Sequence, residues 1–134
     1  TYFVTNENSK NYYNNFFVDI VSETRVFGNL FFLTEKTFRP IVAQRPFILM
    51  APRLTLDNLK RLGFKTFSEF WDESYDGYEG KDRIEAIAKL LDSIAAMDIE
   101  DLNTTLKSMR PLLEHNYTIF RQLTPYKIKK IFNV

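Results

Sequence analysis

Three stretches of this sequence carry side chains whose types and spacing suit chemistry on an anionic or sugar-like ligand. The first is "TEKTFRPIVAQ", residues 34–44, in which Glu35 and Lys36 stand where a helix is expected to begin. The first turn of a helix gathers unpaired N–H groups and the positive end of the helix dipole. Glu35 suits that place, whereas Lys36 is disfavoured there by a few tenths to ~1 kcal/mol unless something negative lies beside it. A bound phosphate reverses that sign, and Glu35 can accept hydrogen bonds from ribose hydroxyls, so the pair describes one side of a nucleotide pocket. The plainer alternative is a helix start in which Glu35 favours the dipole and Lys36 is a solvated charge.

The second stretch is "DESYDGYEGKD", residues 72–82. Asp72, Glu73 and Asp76 lie beside Trp71, Tyr75 and Tyr78, a combination that can bind sugar hydroxyls and stack on a sugar face, or equally form an acidic surface loop. Its spacing departs from that of oxygen-rich metal loops, so no metal is expected. The third is the only histidine, His115 in "LEHNY". A pKa near neutrality suits a general base, but the apolar periodicity around it suits a structural role. Arg45 and Arg53 flank an apolar run; Arg53, at its carboxyl end, is the better phosphate candidate, with a surface ion pair as the alternative.

These residues need elements to hold them. "FFVDIVSET", residues 16–24, reads as a largely buried strand, and "RVFGNLFF" as a connection with Gly28-Asn29 as its turn signal. Phe38, Ile41 and Val42 then recur at helical spacing, with Pro40 either kinking that helix or moving its start to near Arg39. "RPFILM" is a second strand. Thr55 is placed to cap a helix carrying Leu56, Leu59 and Leu62, with Gly63 where a left-handed C-terminal cap belongs. Strand, helix, strand, helix, with strands apolar on both faces, predicts an α/β fold with a short parallel sheet covered by helices.

The remainder is predicted helical. From Asp82, the positions Ile84, Ile87, Ala88, Leu91, Ile94 and Ala95 fit the amphipathic template. A further helix is expected from Ile99 to Met109, and Pro111 suits the first position of a last helix that ends before Pro125. The tail "YKIKKIFNV" is basic and amphipathic, suiting either a helix end packed on the core or a membrane surface. The expected organisation is a single domain over 1–134, with 1–76 its α/β part and 77–134 its helical part.

With 134 residues, 45% hydrophobic and 16% aromatic, the chain can bury a core of its own. A net charge of +1 supplies no long-range field for nucleic acid, so no nucleic-acid partner is expected and any anion must be held locally. The absence of cysteine excludes thiolate metal sites, disulfides and cysteine nucleophiles. No apolar run is long enough for a membrane span and no signal peptide is evident, so a cytoplasmic protein is expected, either complete or a piece of a longer chain.

The succession "VSET", "FFLTEKTFRPIVAQ", "PFILMAP" and "GFKTFSEFWDESYD" resembles the carboxyl-terminal, donor-binding half of GT-B glycosyltransferases. It is most similar to the α1,3-fucosyltransferase family, and also to glycosyltransferase-like proteins met in phage and bacterial sequences. The likeness covers residues 14–76. It implies a Rossmann-like half-domain that binds a nucleotide-diphosphate sugar as substrate, without a cofactor, and a glycan or other hydroxyl acceptor. It also implies an amino-terminal domain elsewhere that supplies the general base, the catalytic residues themselves being unknown. In the "TEK" segment, with Thr34 at its start, the resemblance assigns ribose contact to Glu35 and phosphate contact to Lys36. Glu23 matches a glutamate at the preceding strand end, and Arg25 just beyond it adds phosphate charge. The alternative from a different class is a non-catalytic Rossmann-like binding or assembly module; a phosphate-binding regulatory domain is a third.

Overall fold

The computed structural model describes residues 16–23 and 33–132. Two short strands, β1 (Asp19–Ser22) and β2 (Phe47–Met50), pair in parallel with Asp19 opposite Phe47 and Ser22 opposite Met50. The ladder runs one residue beyond β1, because the Glu23 N–H donates to the Met50 carbonyl at 2.9 Å. The strands differ in burial. Phe47, Ile48 and Leu49 of β2 are buried in succession, as expected of a strand covered on both faces. In β1, Val21 is buried while Ile20 and Ser22 are exposed, the alternation of a strand with one face open.

Helix α1 (Glu35–Val42) connects the strands and packs on β1 and on the long helix over Ile99–Gln122. Pro40 lies inside α1 and is buried, so the helix continues through it and starts at Thr34 rather than near Arg39. It ends in a Schellman arrangement: the Gln44 N–H donates to Ile41 O and the Arg45 N–H to Pro40 O, with Gln44 in the left-handed region at φ 55°. Helix α2 (Thr55–Arg61) ends the same way with the residue expected, Gly63 at φ 101°; Gly63 N donates to Lys60 O and Phe64 N to Leu59 O. Its start differs from expectation. Leu54, not Thr55, is the N-cap residue, and the Thr55 hydroxyl donates to Pro52 O instead.

A 3-10 turn (Ser74–Gly77) leads into helices α3 (Gly80–Ala95) and α4 (Ile99–Gln122), and α5 (Pro125–Phe132) follows. α3 turns inward a stripe that keeps Ile87 and Ile94 of the one read in the sequence but is shifted around the helix: Arg83 and Leu90 are also buried, whereas Ile84 is 55% exposed and Ala88 and Ala95 are exposed. The two helices expected on either side of Pro111 are one helix of 24 residues. Pro111 lies on its solvent side, and one missing N–H does not outweigh the burial of Met109, Leu112 and Leu113. The tail is a helix of its own, in which the Lys127 N–H donates to the Thr124 hydroxyl and Pro125 takes the first helical position. The fold is thus mixed α/β, with a two-stranded parallel sheet among the described residues and helices making up most of the rest. None of the described helices is long and apolar enough to cross a membrane.

Candidate functional site

Around the start of α1 the expected nucleotide-binding residues are close together, but they divide into two groups. Glu23, at the end of β1, is 3% exposed. Its carboxylate accepts from the Thr34 N–H at 3.2 Å, from the Thr34 hydroxyl at 2.7 Å and from the Thr37 hydroxyl. The Thr34 oxygen in turn accepts from the Lys36 N–H at 3.2 Å. A buried strand-end carboxylate therefore holds the first turn of α1, and its charge already sits at the positive end of the dipole. Glu35 is exposed and faces solvent from the first turn. The Lys36 side chain, with Arg39 one turn on, lines a cleft of about 180 Å³ that runs beside Asp19, Ile20, Val21 and Ser22 of β1. Arg39 escaped the sequence reading, although its spacing of three from Lys36 places the two on one helix face. Arg25 lies outside the described residues.

The three acids of the second stretch go to three different places. Asp76 is buried and caps α2: its two carboxylate oxygens accept the Leu56 and Asp57 N–H groups at 3.0 and 3.1 Å. Asp72 is exposed and its carboxylate accepts the Ser74 N–H at 2.8 Å, closing the turn before the 3-10 segment. Glu73 points inward, with both carboxylate oxygens out of solvent and no partner at hydrogen-bonding geometry. Burial pushes its carboxyl above the ordinary value; the nearby Thr66 hydroxyl, Phe67 N–H and Lys60 ammonium pull the other way, and Asp76 adds repulsion.

Arg83, fully buried, gathers this region together and was not singled out from sequence. Its guanidinium donates to Leu49 O from Nε and Nη2 at 3.2 and 2.7 Å, and from Nη1 to Tyr75 O and Tyr78 O at 3.1 Å each. Asp76 Oδ1 lies 3.6 Å from Nη2, and the Tyr75 ring centroid 5.2 Å from the guanidinium carbon. Desolvation lowers the Arg83 pKa, with Asp76 and Tyr75 opposing. The Leu49 N–H donates to the Tyr75 hydroxyl at 3.4 Å. The outer edge of β2, where another strand would pair, is thereby met at Leu49 by two side chains.

Between the acidic stretch and α3 lies a cleft of about 680 Å³. Trp71, Tyr75 and Tyr78 contribute aromatic wall and Asp72 a carboxylate, as the sequence suggested, while Glu73 and Asp76 are not among its lining residues. Its other wall is Asp82, Glu85 and Lys89 of α3, whose spacing of three and four marked one polar helix face that sequence reasoning passed over. Trp71 is seated against Phe67 (centroids 5.3 Å apart) and Phe17 (6.3 Å), and its indole nitrogen is buried without a partner. This cleft and the one beside β1 share no lining residue.

His115 is spent on structure, its Nε2 lying 2.8 Å from Gly63 O at the end of α2. Next to it, buried Asn116 accepts from Lys65 N and donates to Lys65 O, both at 2.8 Å, so consecutive residues of α4 dock the same segment. Arg53 is exposed in the turn after β2, and Arg45 is half-buried before it. Among the described residues, no group of three or more acids and histidines is arranged to hold a metal ion. No protein-family model, curated protein or solved structure matches this chain.

Proposed function

We propose that this chain is the nucleotide-sugar-binding part of a glycosyltransferase, a Rossmann-like half-domain that helps move a sugar from an activated donor to a hydroxyl acceptor. The observation that carries the proposal is the β1–α1–β2 unit with parallel strands, in which α1 begins at Thr34-Glu35-Lys36 just beyond the carboxyl end of β1. In parallel sheets, ligands bind outside the carboxyl ends of the strands, against helix N-termini. Lys36, with Arg39 behind it, stabilises the leaving diphosphate as negative charge grows on it, and exposed Glu35 accepts the ribose hydroxyls. Glu23 acts one step back, holding Thr34 and hence the first turn in place. The general base comes from an amino-terminal domain.

The test is binding of a panel of nucleoside diphosphates, read as thermal shift. A ligand at ~100 times its dissociation constant adds ~2.7 kcal/mol if it binds only the folded state. Lys36→Ala is expected to weaken nucleotide binding about ten- to hundredfold, the loss of one charge-assisted hydrogen bond. Lys60→Ala, on the exposed side of α2, is expected to leave it unchanged. No shift with any nucleotide at millimolar concentration, or unchanged affinity in Lys36→Ala, sinks the proposal.

One observation favours the non-catalytic alternative. The anion position at the start of α1 is already served by the Glu23 carboxylate, as suits a framework whose helix end needs no ligand. Nucleotide binding without hydrolysis or transfer from any nucleotide sugar, even with the longer chain, would select that alternative.

A further inference from the structure

We infer that the cleft between the acidic stretch and α3 binds an uncharged or amine-bearing saccharide, and that it recognises the acceptor rather than the donor. Its role as an acceptor site rests on the glycosyltransferase reading; its chemistry does not. At about 680 Å³ it is in the size range of small-molecule sites and large enough for a disaccharide. One wall is aromatic, with the Trp71 ring fixed by Phe67 and Phe17 and the Tyr78 ring 46% exposed. Such faces bury the apolar C–H side of a sugar ring while its hydroxyls stay at the rim.

The rim suits those hydroxyls. Asp72, Asp82 and Glu85 supply carboxylate acceptors and Lys89 an ammonium donor, so the charged lining carries a net of two negative charges. Glu85 is only loosely engaged, 3.7 Å from the exposed Lys81 ammonium. Carboxylates accept strongly from sugar hydroxyls and from protonated amines, and they repel phosphate. A nucleoside diphosphate therefore belongs at the other cleft, where the cations Lys36 and Arg39 outnumber the Asp19 carboxylate. An aromatic wall in which Trp71 is seated by core side chains, facing carboxylates from α3, distinguishes this cleft from a merely acidic loop.

Trp71 is the only tryptophan of the chain, so its emission reports on this cleft alone. The experiment titrates neutral disaccharides (lactose, cellobiose, maltose and chitobiose) into the protein through the millimolar range and follows that emission, with UDP and GDP as anionic counterparts. At least one disaccharide is expected to give a saturable change. Tyr78→Ala and the pair Asp82→Asn with Glu85→Gln, all exposed positions, are each expected to weaken it about tenfold with the melting temperature kept. No saturable response to any disaccharide overturns the inference, as does a response that survives both variants. A nucleoside diphosphate response abolished by Tyr78→Ala also overturns it, because an anion would then occupy the acidic cleft. The Lys36→Ala experiment is independent: saccharide binding without nucleotide binding leaves this cleft standing and removes the donor site, and the converse removes this cleft alone.

Discussion

Helix α2 has Leu54 as its N-cap, whose apolar side chain offers nothing to the free N–H groups, and those groups are met by Asp76, 20 residues beyond Leu56. Helix α1 begins at a threonine of its own, yet that threonine is held by Glu23 from 11 residues earlier. At these two positions carboxylates that read as ligand contacts in sequence hold helix starts across the fold, Asp76 by accepting helix N–H groups and Glu23 through the N-cap Thr34. Glu73 is different, since its carboxylate is buried and desolvation outweighs what the nearby Thr66 hydroxyl and Phe67 N–H return. A carboxyl whose folded pKa lies above its unfolded one binds more protons when folded across the interval between them, so stability falls as pH rises through that interval. Glu73→Gln is therefore expected to be more stable than the parent at neutral pH. The gap should close on acidification toward the ordinary carboxylate range, as the parent regains what desolvation of the charge had cost. Melting curves of both proteins from mildly acid to neutral pH check this, and parallel profiles would mean the carboxylate is solvated after all.

The elements show where local rules were overridden and at what cost. Pro111 read as a helix start because proline removes an N–H and crowds the carbonyl four residues earlier. It nevertheless stands in the middle of α4, because the stripe of Met109, Leu112 and Leu113 on one side and Leu102 and Leu106 on the other packs on a common core. Pro111→Ala restores the missing bond to the Lys107 carbonyl on an exposed face, against a smaller loss from the freer unfolded chain. The net expectation is a gain of about 1–2 kcal/mol. Urea unfolding measures it, and a destabilised variant would mean that a bend at Pro111 is required for docking. On α3 the inward stripe is centred on Arg83, a residue that hydropathy patterns place outside.

For the whole molecule, Arg83 is the residue on which the parts converge. It joins the β2 edge at Leu49 to the 3-10 turn through Tyr75 and Tyr78, and lies beside the Asp76 carboxylate that caps α2. Its five N–H groups form a planar fork that lysine cannot reproduce. Arg83→Ala strands several buried carbonyls and leaves Asp76 without its cation, a loss of about 3–5 kcal/mol against a total of about 5–15 kcal/mol for a typical domain. Arg83→Lys is expected to recover only part of it. Thermal and urea unfolding give the ranking; a lysine variant as stable as the parent would show that charge alone matters there. A loss of this size would also move the walls of the acidic cleft, since Tyr75 and Tyr78 line it.

Sequence alone determined the order of elements through α2, the parallel α/β character and the Gly63 cap, because periodicity and glycine conformation act over a few residues, whereas the structure chose the helix start at "TEK" over one near Arg39. The sequence also marked the aromatic wall of the acidic cleft, since Trp71 and Tyr78 are close in the chain. Only the tertiary structure decided which acids are caps, which face of α3 is buried, that α4 runs through Pro111, and that Asp82, Glu85 and Lys89 close the cleft. Each of those depends on partners distant in sequence, or on summed burial that outweighs a local preference. The side-chain hydrogen bonds of Glu23, Asp76, Arg83 and Asn116 span from 5 to 51 residues, and no window of sequence short enough to show a motif contains both ends of the longest.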